Sequence, residues 1–102
     1  LKRLWCETAF RHETLAFGVA FGLFATLGAS FVEFSILLGF FLLLVAVEAL
    51  NTAIECIVDH LAPHWAEFAK QAKDLGSLAV MCVLLSGGLF LAIVCGRHLF
   101  LL

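Results

Sequence analysis

Three stretches without a charged side chain limit what this chain can fold into. Residues 14–32 ("TLAFGVAFGLFATLGASFV"), 34–47 ("FSILLGFFLLLVAV") and 75–96 ("LGSLAVMCVLLSGGLFLAIVCG") make up more than half of its 102 residues. As a helix the first would be about 28 Å long, close to a hydrocarbon core of about 30 Å. The third is long enough outright. The second is too short to span alone and needs the next two turns, which carry Glu48 and Asn51. The sequence therefore reads as an all-α membrane protein, one membrane domain over residues 1–102. Transmembrane helices are expected at about 14–31, 34–61 and 70–97, with a short N-terminal surface helix at about 1–13 and assembly into a helical oligomer.

Composition agrees. Of all residues 64% are hydrophobic and 14% charged, and a water-soluble domain this small buries too little of its surface to hide that. The net charge is −2 and no basic patch has interleaved aromatics, so nucleic acid is not expected as a partner. The cysteines Cys6, Cys56, Cys82 and Cys95 form no C-x-x-C pair, and His12, His60, His64 and His98 lack zinc-ligand spacing. The thiols read as small apolar side chains. Residues 1–13 carry both signs of charge and no cleavage pattern, so they do not read as a signal peptide. The first residue is Leu rather than Met, and a longer N-terminus is expected.

Two connections follow. A tight hairpin is expected around Gly28 to Ser35, and a longer link from about His60 to Gln71 holds the only proline, Pro63. Lys2, Arg3, Arg11, Lys70 and Lys73 fall on one side of the three-span arrangement and Arg97 on the other. The positive-inside rule then puts the N-terminus and the second connection in the cytoplasm and the C-terminus outside. Gly18 with Gly22, and Gly88 with Ala92 and Gly96, recur at four-residue spacing that lets helices approach closely.

The stretch "VEALNTAIECIVDH" breaks the apolar pattern. At 100° per residue Glu48, Asn51, Glu55 and Asp59 fall at about 0°, 300°, 340° and 20°, one narrow stripe. Ionisable groups in a membrane are costly and usually face protein or water. A line of acids from mid-membrane toward water points to a site that touches both phases. Acids at the interface suit Mg²⁺, which takes one or two carboxylates and completes its shell with water and phosphate. A deeper acid suits a general base that takes a proton from a hydroxyl. Lys70, Lys73 and Ser77 share a face of the third helix, where lysines suit phosphate. Snorkelling toward the interface explains the same lysines. Arg3, Glu7 and Arg11 are spaced as a surface salt-bridge stripe, and by spacing alone Glu7 needs no other role. No Walker or kinase glycine-rich loop is present.

"EALNTAIECIVDH" followed by "AKQAKDLGSLAV" closely resembles the small prokaryotic diacylglycerol kinase family. The family signature E-x-[apolar]-N-[ST]-[small]-[apolar]-E-x-x-[VI]-D is matched throughout by "EALNTAIECIVD", A-K-D-x-G-S-x-A-V by "AKDLGSLAV", and E-A-A-F-R-x-E by "ETAFRHE". Together these cover residues 7–80. The resemblance implies an inner-membrane homotrimer with sites shared between subunits. The implied reaction is transfer of the γ-phosphate of Mg-ATP to the hydroxyl of diacylglycerol, giving phosphatidic acid. By the same resemblance Glu48 is the general base, Glu7 and Glu55 bind the metal, and Glu7, Asn51, Glu55, Lys73 and Asp74 hold ATP. Ala9, Phe10, Arg11, His12, Glu13, Glu48 and Ser77 line the lipid site. His64–Ala66 aligns with a stretch near the nucleotide, where "HWA" departs from the usual residues. The undecaprenol kinase branch of the family shares the first motif but tends to carry "AKDxAAGAV". A non-enzymatic oligomer conducting cations through a Glu48 ring is the reading from another class.

Overall fold

The computed structural model describes residues 7–101. The expected surface helix falls partly on residues 1–6, outside the described residues, as does Cys6. Three long helices follow: α1 (Thr8–Leu27), α2 (Phe31–Leu61) and α3 (Glu67–Gly96), with a short π-helical turn (Arg97–Leu101) closing the chain. No strand occurs among the described residues. The molecule is long and thin, 54 × 24 × 19 Å. Two helical segments, Phe31–Leu61 and Glu67–Phe100, are long and apolar enough to cross a membrane. α1 falls short of that measure because Arg11, His12 and Glu13 occupy its first turns. Its uncharged part, Thr14–Leu27, is about 21 Å long.

Residues 8–13 are the first turns of α1 and run without a break into the apolar stretch. No proline or glycine stands before Gly18 to interrupt them. The first hairpin falls within the expected Gly28 to Ser35 stretch, with α1 ending at Leu27 rather than near residue 31. Gly28 adopts φ 72°, its N–H and that of Ala29 bond back to Ala25 (3.4 Å) and Phe24 (3.0 Å), and only Gly28–Ser30 separate the helices. This is a Schellman stop, and a left-handed residue there favours glycine. α2 begins three residues before the expected position because Ser30 and Glu33 form a capping box. The Ser30 hydroxyl accepts from the Glu33 N–H (3.1 Å), and the Ser30 N–H donates to Glu33 Oε1 (2.8 Å). The second connection is residues 62–66, around Pro63.

α2 and α3 form the principal interface. α1 joins them through phenylalanines: Phe17 against Phe41 (centroids 5.3 Å), and Phe24, fully buried, against Phe34 (5.9 Å) and Phe90 (6.0 Å). Phe40 and Phe90 continue the cluster at 5.6 Å. Such ring pairs add to plain packing. The expected close approaches at Gly18, Gly22, Gly88 and Gly96 are not made within one chain, since nothing lies within 4 Å of a side chain built there. Gly76 and Gly87 take that role. A Cβ on Gly87 would sit 3.7 Å from Phe17, and one on Gly76 would strike Asn51. Gly88 follows Gly87 by a rotation of about 100°, enough to turn it off the buried face.

Candidate active site

Glu48, Asn51 and Thr52 are buried in the apolar middle of the chain, on the face of α2 turned toward its neighbours. One turn on, Glu55 is half-buried, and Asp59 is exposed. The polar stripe read from helix geometry is thus a gradient from dry to wet. From Glu48 to Asp59 it runs about 16 Å along the axis.

α1 brings two further acids to its dry end. Glu7, the residue capping α1, accepts from the Thr52 hydroxyl at 3.2 Å. The Glu13 carboxyl faces that of Glu48 within hydrogen-bonding reach, and Glu7 lies within electrostatic range of the same group. Glu13 Oε1 is buried with no protein partner among the described residues. Asn51 is the link to α3. Its side chain packs on Gly76, and its Oδ1 is buried with no hydrogen-bond partner among the described residues. A buried acceptor without a donor is costly, and a water, a substrate hydroxyl or a metal ion would satisfy it, leaving the amide N–H free for an anion.

The wet end is a cleft of about 460 Å³ between the end of α2, residues 62–66 and the start of α3. Lys73 reaches across from α3 to α2, its Nζ 2.6 Å from Asp59 Oδ1, with Glu55 also in electrostatic range. Lys70 pairs with Asp74 on its own helix at 2.9 Å. His64 and Trp65 complete the wall. Both lysine pairs are largely exposed, so each contributes little to stability.

The structure therefore gathers Glu7, Glu13, Glu48, Asn51 and Thr52 at one level, and Lys73, Asp74 and Asp59 at another, with Glu55 between them. Phe10 is buried, whereas Ala9, Arg11 and His12 lie exposed on the first turns of α1. Ser77 is exposed on α3, one residue past the Asn51 contact. Sequence reasoning did not single out Thr52 or Gly76. The signal for Gly76 lay in the "DLGS" motif itself, and for Thr52 in its place beside Asn51 on the buried face. At the far end of the molecule a buried acid was also missed. Glu33 binds His98 (3.0 Å) and faces Arg97 (3.6 Å), tying α2 to the end of α3.

Residues 1–95 match the family profile described as prokaryotic diacylglycerol kinase. This chain belongs to the prokaryotic diacylglycerol kinase family. It is 47% identical over 93 residues to a diacylglycerol kinase of a Sinorhizobium species, across 91% of this chain and 68% of that one. It is 34% identical over 86 residues to the diacylglycerol kinase of Escherichia coli strain K12, across 83% and 70% of the two chains. A third diacylglycerol kinase, from Helicobacter pylori, is 34% identical over 100 residues, 97% of this chain and 75% of its own. The chain thus spans about two thirds to three quarters of the length of these relatives. Membership in the diacylglycerol kinase family makes it an integral membrane enzyme, a kinase.

Kinases use a nucleoside triphosphate and as a rule a divalent metal. Among the described residues no three His, Cys, Asp or Glu side chains are grouped to hold an ion. A Mg²⁺ that arrives with phosphates needs only one or two carboxylates. Glu7 and Glu55 fit that smaller demand. Glu7 is fixed at Thr52, and Glu55 follows Thr52 by three residues on the same helix, so the two acids come to neighbouring turns.

Proposed function

We propose that this chain transfers the γ-phosphate of Mg-ATP to the hydroxyl of diacylglycerol, producing phosphatidic acid. The observation that carries the reading is the graded stripe on α2: Glu48 buried beside Glu13 at lipid depth, Asp59 and Lys73 at a cleft open to water. One substrate arrives from the bilayer and the other from solution, and the stripe joins the two.

In this reading Glu48 takes the proton from the lipid hydroxyl as its oxygen attacks phosphorus, and Glu13 opposite holds the Glu48 carboxyl in place. Asn51 offers its amide to the γ-phosphate. Lys73 binds phosphate oxygens at the cleft and Asp74 orients the nucleotide, beside His64–Ala66. Glu7 and Glu55 hold Mg²⁺, which neutralises charge on the transferring phosphate. Ala9 to Glu13 and Ser77 flank the lipid. Phosphoryl transfer asks mainly for positioning and charge neutralisation, and the residues gathered on α1, α2 and α3 supply both.

The reading extends to the whole assembly. α1 crosses the inner membrane beside α2 and α3, as its phenylalanine packing against both supports. The α2–α3 connection and the start of α1 face the cytoplasm, and Arg97 faces out. Three copies form a homotrimer with shared sites.

The test is transfer of labelled γ-phosphate from Mg-ATP to diacylglycerol and undecaprenol offered together in mixed micelles. Label in phosphatidic acid is expected. Label in undecaprenyl phosphate keeps the chemistry and changes the lipid. Cation flux without label in either lipid favours the conducting oligomer.

A further inference from the structure

The Lys73–Asp59 pair is the shortest ion pair among the described residues, and it sits inside the cleft given above to the nucleotide. From this contact we infer that Asp59 and a nucleotide's phosphates compete for the Lys73 ammonium, so that the cleft accepts polyphosphates and turns away singly charged anions. The inference rests on the reading of Lys73 as a phosphate-binding residue.

The charges at the cleft explain the competition. Its two lysines face two acids, Asp59 and Asp74, so it has no net positive charge of its own. Glu55 adds negative potential toward Lys73 from one turn deeper on α2. A lysine is a compact charge on a flexible stem with three donors, so geometry alone does not stop it from serving a carboxylate and a phosphate together. Repulsion between the two anions does. An anion with one charge gains no more from Lys73 than Asp59 already does, whereas a di- or triphosphate concentrates several charges on the same ammonium.

The pair is also weak enough to yield. The Lys73 and Asp59 side chains retain 41% and 60% of their exposure, and a solvated pair holds by a small margin. Asp59 therefore sets a threshold rather than a block. The threshold has a use at this depth, because lysines at a membrane surface attract anionic lipid headgroups. A built-in carboxylate keeps those headgroups off the lysine that the nucleotide needs. Asp59 acts through Lys73, and its role is to position and tune that side chain.

Asp59→Asn keeps the shape and removes the charge. Equilibrium binding of radiolabelled ADP, with dimethyl phosphate, a singly charged phosphodiester, as competitor, is measured on the full chain in neutral phosphatidylcholine bicelles. The variant is expected to bind ADP about two- to five-fold tighter, the range an exposed pair allows, and dimethyl phosphate, turned away by the parent, should begin to compete. Asp59→Glu, which keeps the charge, should stay near the parent. ADP binding by Asp59→Asn that is unchanged or weaker overturns the inference, the weaker result marking Asp59 as a residue that holds Lys73 for the nucleotide. Lys73→Ala separates the two levels of the argument. If it weakens ADP binding while Asp59→Asn changes nothing, only the competition fails. If Lys73→Ala has no effect, the nucleotide reading of the cleft fails with it.

Discussion

Glu48 combines burial, a facing carboxyl and a place midway along an apolar helix. Glu48→Gln keeps the size of the side chain while removing its capacity to take a proton. Turnover should fall by about 10²- to 10⁴-fold, the usual worth of a general base. Nucleotide binding should persist, because the cleft lies about 16 Å along α2. Full turnover in this variant would remove the base assignment. Gly76 answers to sterics instead. Its missing Cβ is the space that Asn51 occupies, so Gly76→Ala must push the amide aside or part the helices. A loss of about 1–3 kcal/mol is expected from overpacking, read as a lower thermal midpoint in micelles, with activity falling as Asn51 moves. Retained stability and activity would mean that the Asn51 contact is dispensable. The polar stripe was legible in the sequence because rotation of 100° per residue is a property of one helix. The roles of Thr52, Gly76 and Glu13 were harder to read because each depends on what another helix brings opposite.

At the level of elements, helix ends follow backbone rules rather than charge. Residues 8–13, expected within a surface helix, open α1 without a break, because charged residues do not stop a helix that lacks proline and glycine. The start of α2 is written in "SFVE", a serine followed three residues later by glutamate, which places the helix start three residues ahead of the uncharged run. The turns at Gly28 and Pro63 follow from local backbone rules, which place the turn but not the terminal helical residue: α1 ends at Leu27 rather than near 31, and α3 starts at Glu67 rather than near 70. The capping box gives its own prediction. Ser30→Ala removes the acceptor for the Glu33 N–H and should cost about 1 kcal/mol. Glu33→Ala removes more, since that carboxylate also receives His98 and faces Arg97 at the end of α3. Thermal melts of the two variants should rank Glu33→Ala below Ser30→Ala. The reverse order would show that the link between α2 and the C-terminal turn contributes nothing.

On the scale of the whole molecule, one chain is thin for the chemistry proposed for it. Most of its large apolar side chains lie on the outside, and its shorter axes are only 24 and 19 Å. Apolar surface alone does not call for partners in a bilayer, because lipid covers it at little cost. Glu48 and Asn51 do not call for them either, since each is already buried within a single chain. The distance between base and lysine calls for them more strongly. The lysine cleft stands well above Glu48 along the same helix, so the phosphates bound at one chain's Lys73 have to meet a base some distance along the axis or on a neighbour. If the sites are shared, two inactive variants can repair each other. Glu48→Gln chains and Lys73→Ala chains, each inactive alone, should regain a measurable fraction of parent activity when unfolded, mixed and reassembled together. The same two variants joined in one chain should rescue nothing when reassembled alone. Recovery would require that one chain lend its base and another its lysine to the same transfer. No recovery, from mixtures shown by crosslinking to contain both variants, would mean that each chain carries base and lysine together in its own site, and the path from cleft to Glu48 would then run along α2 itself.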